Sequence, residues 1–275
     1  MKKIVGIIYN PEKKRACKDA KELQGFLRRK KCDAELIPSN AKKISNFDFA
    51  VTLGGDGTML KASRLVAPLG IPVLGINMGS LGFLAETTSS ESKAVLADII
   101  RDKFHIEERM MLDVMIKSRN KKIQELALND CIIHSGMNGR VITIRASIND
   151  EFLADYISDG LIISTPTGST AYSLAASGPI VHPSLSLFVL TPICPHTLTQ
   201  RPLIVSTNHI LSFTVDIRKR QEIPVVSVDG QLNYALKSGD QIVVTASPRP
   251  LQLIVNPKRK YFQVLRAKLK WGERG

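Results

Sequence analysis

The 275-residue chain is 44% hydrophobic and only 5% aromatic, carries a formal net charge of +13, and holds 4 cysteines. It is long enough for one large domain or two modest ones, and no apolar run reaches the length of a membrane span. Cys17, Cys32, Cys131 and Cys194 are scattered with no CxxC pair, a spacing that supports neither a disulfide framework nor a zinc site and fits a reducing, cytoplasmic setting.

Taken in order, Met1-Lys2-Lys3 ahead of Ile4 to Ile8 has the outline of a signal peptide. The apolar run is short and meets Tyr9-Asn10-Pro11, so a first strand is the better reading. Ala16, Ala20, Leu23 and Leu27 then share one face of a helix, with lysines and arginines opposite. Ala34 to Ile37 forms a second strand and Phe49 to Leu53 a third, which runs into Gly54-Gly55-Asp56-Gly57-Thr58 and a new helix. Ile71 to Ile76 reads as another buried strand, followed by a second glycine loop from Asn77 to Phe83. Ser89 or Ser90 is expected to cap a helix whose apolar face includes Val95, Leu96, Ile99 and Ile100. Strands alternating with helices imply an α/β domain with a parallel sheet covered on both faces. Ligands bind such sheets at the carboxyl ends of the strands, where both glycine loops fall.

Near residue 105 the pattern changes. Met110 to Ile116, Leu126 to Ile133, Val141 to Ile148, Leu161 to Ser164, Leu187 to Leu190, Ile210 to Val215, Val225 to Val228, Ile242 to Thr245 and Leu251 to Val255 read as strands. Asn138-Gly139, Asn149-Asp150, Asp229-Gly230 and Ser238-Gly239 separate them as turns. The expected organisation is an α/β domain over 1–105, a β-rich, sandwich-like domain over 106–256, and a tail over 257–275. That tail carries Tyr261, Phe262, Leu265, Leu269 and Trp271, apolar surface expected to pack back on the first domain. The basic runs Lys13-Lys14-Arg15, Arg28-Arg29-Lys30-Lys31 and Lys258-Arg259-Lys260 lack interleaved aromatics. They read as solvated helix ends and a basic tail, not as a nucleic-acid surface.

The glycine loop carries the first chemical signal. Glycines there allow close approach of a ligand, and the new helix offers unpaired N–H groups and a positive dipole end. Asp56 stands where phosphate is expected, which suits a proton acceptor or a group near a bound cation. Neither the GxxxxGK[ST] nor the GxGxxG pattern is present. A second signal is Asn129-Asp130, an amide and a carboxylate that together can read a base edge and ribose hydroxyls, or else form a bulge. The third is Ser158 to Ser173, a buried strand running into hydroxyls, glycine and a short Ala-rich helix at Ser173 to Ser177. Its hydroxyls and amides can hold phosphate or sugar, and Tyr172 offers a flat face to an aromatic ring.

Gly54 to Thr58 resembles the signature of a kinase superfamily that embraces NAD kinases, diacylglycerol and sphingosine kinases and, distantly, phosphofructokinases. Asn129-Asp130, the run from Asp159 to Tyr172 continuing through Gly178-Pro179-Ile180, and Pro195-His196-Thr197-Leu198 leading to Arg201-Pro202-Leu203 narrow this to a resemblance to the bacterial NAD kinases. The resemblance spans essentially the whole chain and implies transfer of the γ-phosphoryl group of ATP to the adenosine 2′-hydroxyl of NAD+, with Mg2+ or another divalent cation. It implies Asp56 as general base, with Gly55, Gly57 and Lys61 at the phosphates. Asn129, Asp130, Arg140, Asp159, Gln231 and Thr170, Ala171, Tyr172, Ser173, Leu174 and Ala175 are expected at the dinucleotide. The family usually has Glu where this chain has Asp130. No protein ligands to a metal, no nucleic acid and no membrane are expected, and homodimers or homotetramers are. A lipid or small-alcohol kinase, or a non-catalytic NAD(P)-binding sensor, are the alternatives at this stage.

Overall fold

A computed structural model describes residues 2–79, 82–85, 87–119, 121–136, 141–217, 223–255 and 261–271. The chain resolves into two units, Met1–Glu108 with Leu251–Gly275, and Arg109–Pro250.

The first unit opens with β1 (Ile4–Tyr9), α1 (Lys14–Arg29), β2 (Asp33–Pro38), β3 (Phe49–Leu53) and α2 (Asp56–Val66). It continues with β4 (Val73–Asn77), the two-residue β5 (Thr87–Thr88), α3 (Ser92–Ile100) and β6 (His105–Arg109). β1 pairs in parallel with β2 and β3, β3 with β4, and β4 with β5. β3 and β4 are buried along their whole length, which is why they read as continuous apolar runs. Ala20, Leu23 and Leu27 of α1 and Leu96 and Ile99 of α3 join the sheet residues in one core. The start of α3 differs from expectation: Glu91 is the N-cap residue, and neither Ser89 nor Ser90 is. The Glu91 carboxylate accepts from the Thr88 N–H and hydroxyl, while the Glu91 N–H approaches Thr88 Oγ1. A Thr-x-x-Glu exchange therefore forms just ahead of the helix.

The second unit contains β7 (Leu112–Ser118), β8 (Lys121–Ala127), β9 (Asp130–His134), β10 (Ile142–Ile148), β11 (Glu151–Ser158) and β12 (Gly160–Ser164). After a turn of tighter helix over Thr167–Thr170 come the one-turn α4 (Tyr172–Ala175), β13 (Leu187–Ile193) and β14 (Leu203–Ser206). β15 (Leu211–Asp216), β16 (Val225–Val228), β17 (Leu232–Ala235) and β18 (Gln241–Ala246) complete it. Two antiparallel sheets result, ordered β11-β10-β15-β18-β7-β8 and β14-β13-β12-β9-β16-β17. Val114, Ile144, Phe213 and Val244 of the first sheet and Ile133, Leu161, Phe188 and Val226 of the second share one core, as in a sandwich.

In this unit three strands escaped the sequence reading, β11, β14 and β17, and of β8 only its last two residues were seen; in the first unit β5 and β6 escaped it as well. The four in this unit are the edges of its two sheets. Edge strands carry polar and charged residues that blunt their apolar pattern, as in Lys121-Lys122-Ile123-Gln124-Glu125. The segment expected as one strand from Leu126 to Ile133 is broken at Leu128-Asn129. The Ala-rich helix expected at Ser173 to Ser177 is the shorter α4, one residue earlier at its start.

β19 (Leu251–Val255) corrects the boundary drawn at residue 256. It leaves the β-rich unit and pairs in parallel with β4, Leu253 opposite Val73 and Ile254 opposite Leu74, with β6 beyond it. Its apolar residues suit either sheet equally, and the partner it finds is a non-local property. α5 (Tyr261–Leu269) belongs to the same unit, with Val264 and Leu265 buried and Phe262 and Trp271 exposed. No helix among the described residues is long and apolar enough to cross a membrane.

Candidate functional site

In the first unit β3 ends at Leu53 and α2 begins at Asp56, so the glycine turn spans two residues. Gly54 is held by Thr58: a Cβ at position 54 would stand 2.2 Å from Thr58 Oγ1. Gly55 is exposed with nothing within 4 Å of a built Cβ, so the protein itself makes no demand for glycine there. Asp56 is half-buried at the amino end of α2. Its Oδ2 accepts the Phe83 N–H at 3.1 Å and its Oδ1 the Leu84 N–H at 3.2 Å. Gly82 lies against the carboxylate, its built Cβ 2.1 Å from Oδ1. The segment bearing these amides is seated by Gly75 of β4, where a Cβ would meet Ala85 Cα at 2.7 Å and the Leu84 carbonyl oxygen at 2.9 Å. Gly82, Phe83 and Leu84 thus cup the carboxylate of the glycine turn and fix its orientation through two backbone donors. Gly57 follows in the first turn of α2, and Lys61 is half-buried further along the helix.

In the second unit a cavity of about 560 Å³ is lined by Asn129, Asp130, Asp159, Ala171 and Tyr172, all expected from sequence. Ile132, His134, Ser135, Ile193, Ser227, Asp229 and Gly230 complete its wall. Strand alternation puts Cys131 and Ile133 into the sandwich core and turns Asp130, Ile132 and His134 to the opposite face of the sheet. The same alternation, followed outward from Asp130, was the signal available for Ile132 and His134. Asp229 offered none beyond its place in an Asp-Gly turn.

Antiparallel pairing of β9 with β12 sets Ser164 opposite Asp130, which brings the two polar sequence stretches side by side. Thr165 donates its N–H to the Asn129 carbonyl (2.8 Å) and its hydroxyl to the Leu128 carbonyl (2.6 Å). Gly168 packs directly on Asn129. The hydroxyls read as phosphate or sugar holders are largely committed within the protein. Ser169 Oγ bonds the Pro166 and Val181 backbone, Ser173 Oγ pairs with Thr191 Oγ1 at 2.9 Å, and Thr170 Oγ1 reaches the Thr167 carbonyl. Tyr172 stays 47% exposed beside the cavity, leaving a ring face open. Leu174 is half-buried and Ala175 exposed on α4, outside the cavity wall. Gln231 follows Gly230 in the β16–β17 turn and also lies off the wall. Arg140 and the Asn138-Gly139 turn lie outside the described residues.

Asp130 is 3% exposed. Burial, and then the neighbouring Asp229 charge, push its carboxyl up to about 7. Burial alone lowers His134, whose Nδ1 accepts the Gly136 N–H. Among the described residues no group of three or more His, Cys, Asp or Glu side chains is placed to hold a metal. The lone Asp56 carboxylate beside an open glycine turn suits a divalent ion carried in on a phosphate ligand.

Residues 39–104 match the family model for the ATP-NAD kinase N-terminal domain, and residues 128–256 that for the C-terminal domain. The NAD kinase of Geobacter sulfurreducens is 46% identical over 240 residues, covering 87% of this chain and 83% of that protein. Among solved structures, yeast NADH kinase complexed with NADH superposes with a TM-score of 0.84 at 24% identity, over 100% of this chain and 89% of that one. The NAD kinase of Archaeoglobus fulgidus in complex with ATP gives a TM-score of 0.77 at 26% identity, over 97% and 98%.

Proposed function

The chain belongs to the ATP-NAD kinase family and, as an NAD kinase, is an ATP-dependent phosphotransferase; within that activity we propose that Asp56 is the general base. Asp56 takes the proton of the adenosine 2′-hydroxyl of NAD+ as that oxygen attacks the γ-phosphorus of ATP, giving NADP+ and ADP. The observation that carries this reading is the carboxylate held by the Phe83 and Leu84 amides at the head of α2. A base fixed by backbone donors is aimed before substrate arrives, and phosphoryl transfer asks chiefly for positioning and charge neutralisation.

NAD+ is assigned to the cavity of the second unit. Asn129 and Asp130 meet the adenosine, Asp159 accepts from hydroxyls, and Ala171 and Tyr172 line the dinucleotide with Tyr172 stacking on a ring, while Thr170, Ser173, Leu174 and Ala175 are placed beside it on family resemblance alone. Arg140 and Gln231 join them on family resemblance. Gly55 and Gly57 admit phosphate, and Lys61, one turn further along α2, steadies it with a positive charge. The divalent cation enters as part of the Mg-ATP substrate and neutralises the triphosphate. The ATP bound in the Archaeoglobus fulgidus relative supports ATP as donor. The +13 net charge favours capture of two anionic substrates. A cytoplasmic homodimer or homotetramer completes the proposal.

The test is NADP+ formation from NAD+ and Mg-ATP, read through an NADP-specific dehydrogenase, for the wild type beside Asp56→Asn. The wild type is expected to turn over and the variant to lose a factor of about 10²–10⁴ in kcat with its fold intact. Near-equal rates for the two proteins rule out Asp56 as the base.

A further inference from the structure

Three consecutive backbone amides, from the break after β8 to the first residue of β9, converge on one carboxylate. The Leu128 N–H donates to Asp229 Oδ2 at 3.1 Å, and the Asn129 and Asp130 N–H groups donate to Oδ1 at 2.8 and 3.3 Å. In return the Asp229 N–H donates to the Asp130 carbonyl at 2.9 Å. Successive amides aimed at one point form an anion-binding nest. Here the protein fills the nest itself, with a side chain 99 residues further along the chain than Asp130 and only 7% exposed.

The opposite side of the same segment is gripped as well. Thr165 bonds the carbonyls of Leu128 and Asn129, and Gly168 abuts the Asn129 backbone. Leu128 to Asp130 is therefore clamped by its amides on Asp229 and by its carbonyls on Thr165. This leaves the side chains of Asn129 and Asp130 to enter the cavity in one direction. Backbone geometry alone does not explain the residue type at 229. Its φ of +52° is one that Asn adopts as readily as Asp, and the turn needs nothing more. Only a carboxylate, with acceptors alone, satisfies three converging donors.

Resting on the reading that Asn129 and Asp130 hold the adenosine of NAD+, we propose that Asp229 is a positioning residue that fixes this pair through its backbone. Its charge also reaches the substrate side of the cavity. Asp229 from the β16–β17 turn, His134 further along the same strand and Asp159 at the head of β12 line the same cavity as Asp130, with Cys131 adjacent in sequence. Of these, Asp229 is the one that raises the Asp130 carboxyl beyond the effect of burial.

Asp229→Asn tests both roles with separate readouts, since it keeps the turn and the volume but replaces one acceptor with a donor and removes the charge. For this variant kcat/KM for NAD+ is expected to fall by about 10–100-fold, the scale of second-layer hydrogen bonds and small misplacements. KM for ATP should stay within about twofold of the wild type. The acid limb of the kcat/KM profile for NAD+ should move to lower pH, because Asp130 loses a neighbouring negative charge. Unchanged kinetics and profile overturn the proposal, as does an equal loss toward both substrates with no movement of the profile. If the variant does not fold, hydrogen exchange on the wild type decides. Amides of Leu128, Asn129 and Asp130 protected like the β9 ladder support the clamp, and exchange at open-loop rates refutes it. A wild type without NAD+ turnover removes the underlying reading, whereas an active wild type with an unaffected variant removes Asp229 alone.

Discussion

Gly168→Ala puts the junction of the two polar stretches under direct strain. A Cβ at 168 would stand 2.1 Å from the Asn129 carbonyl oxygen, 2.5 Å from its carbon and 2.7 Å from its Cα. All three are backbone atoms, so no rotamer change relieves the contact. Real Cβ atoms do not come closer than about 3.0 Å, so the two segments must part by about 0.9 Å. A separation of that size breaks the 2.8 Å bond from the Thr165 N–H to the Asn129 carbonyl. Overpacking costs about 1–3 kcal/mol and the lost hydrogen bond roughly another 1 kcal/mol. Urea denaturation of the second unit should therefore show a loss of about 2–4 kcal/mol. Displacing Asn129 by nearly 1 Å should also lower kcat/KM for NAD+ by about 100-fold, with ATP kinetics far less affected. A variant with wild-type denaturation and wild-type kcat/KM would show that Gly168 does not hold Asn129, and that the hydrogen-bonded junction is not what orders the cavity.

Two further outcomes follow from the site. Asp130 has its carboxyl raised to about 7 in the folded protein against an ordinary value of 3.8, so the native state holds a proton there that the unfolded chain releases. Its contribution to stability is present below pH 3.8 and lost as pH rises through about 7, so denaturation across pH 4–8 should show the wild type losing on the order of 2–4 kcal/mol relative to Asp130→Asn; parallel curves for the two proteins contradict the shift. Gly75→Ala should push the Leu84–Ala85 backbone off β4, withdraw the amides from Asp56 and lower kcat by about 10-fold or more, with KM for NAD+ changed less. Steady-state kinetics showing a KM effect alone would contradict that account.

How much of this was legible beforehand differs by element. The buried strands β3 and β4 and the helix α1 announced themselves because periodicity and continuous apolar runs are local properties. The β11, β14 and β17 edges were missed, with nearly all of β8, because a strand with one open side keeps the polar residues that hide it. β19 was found as a strand and assigned to the wrong sheet, since nothing in Leu251-Gln252-Leu253-Ile254-Val255 distinguishes a partner in one unit from a partner in the other.

The sequence by itself determined the chemical groups: the glycine turn with its acid at 56, the Asn129-Asp130 pair, the run from Ser158 to Tyr172, and the order of an α/β part before a β-rich one. Each is a short stretch whose residue types carry their meaning without distant partners. Tertiary structure decided what those groups touch. It spent the hydroxyls of Ser169 and Ser173 inside the protein, and it brought the amides of Phe83 and Leu84 onto Asp56. It also turned an ordinary Asp-Gly turn into the anchor of a segment 99 residues away. Those outcomes depend on which backbone donors are left unpaired once the sheets have formed. That count exists only after strands remote in sequence have chosen their neighbours.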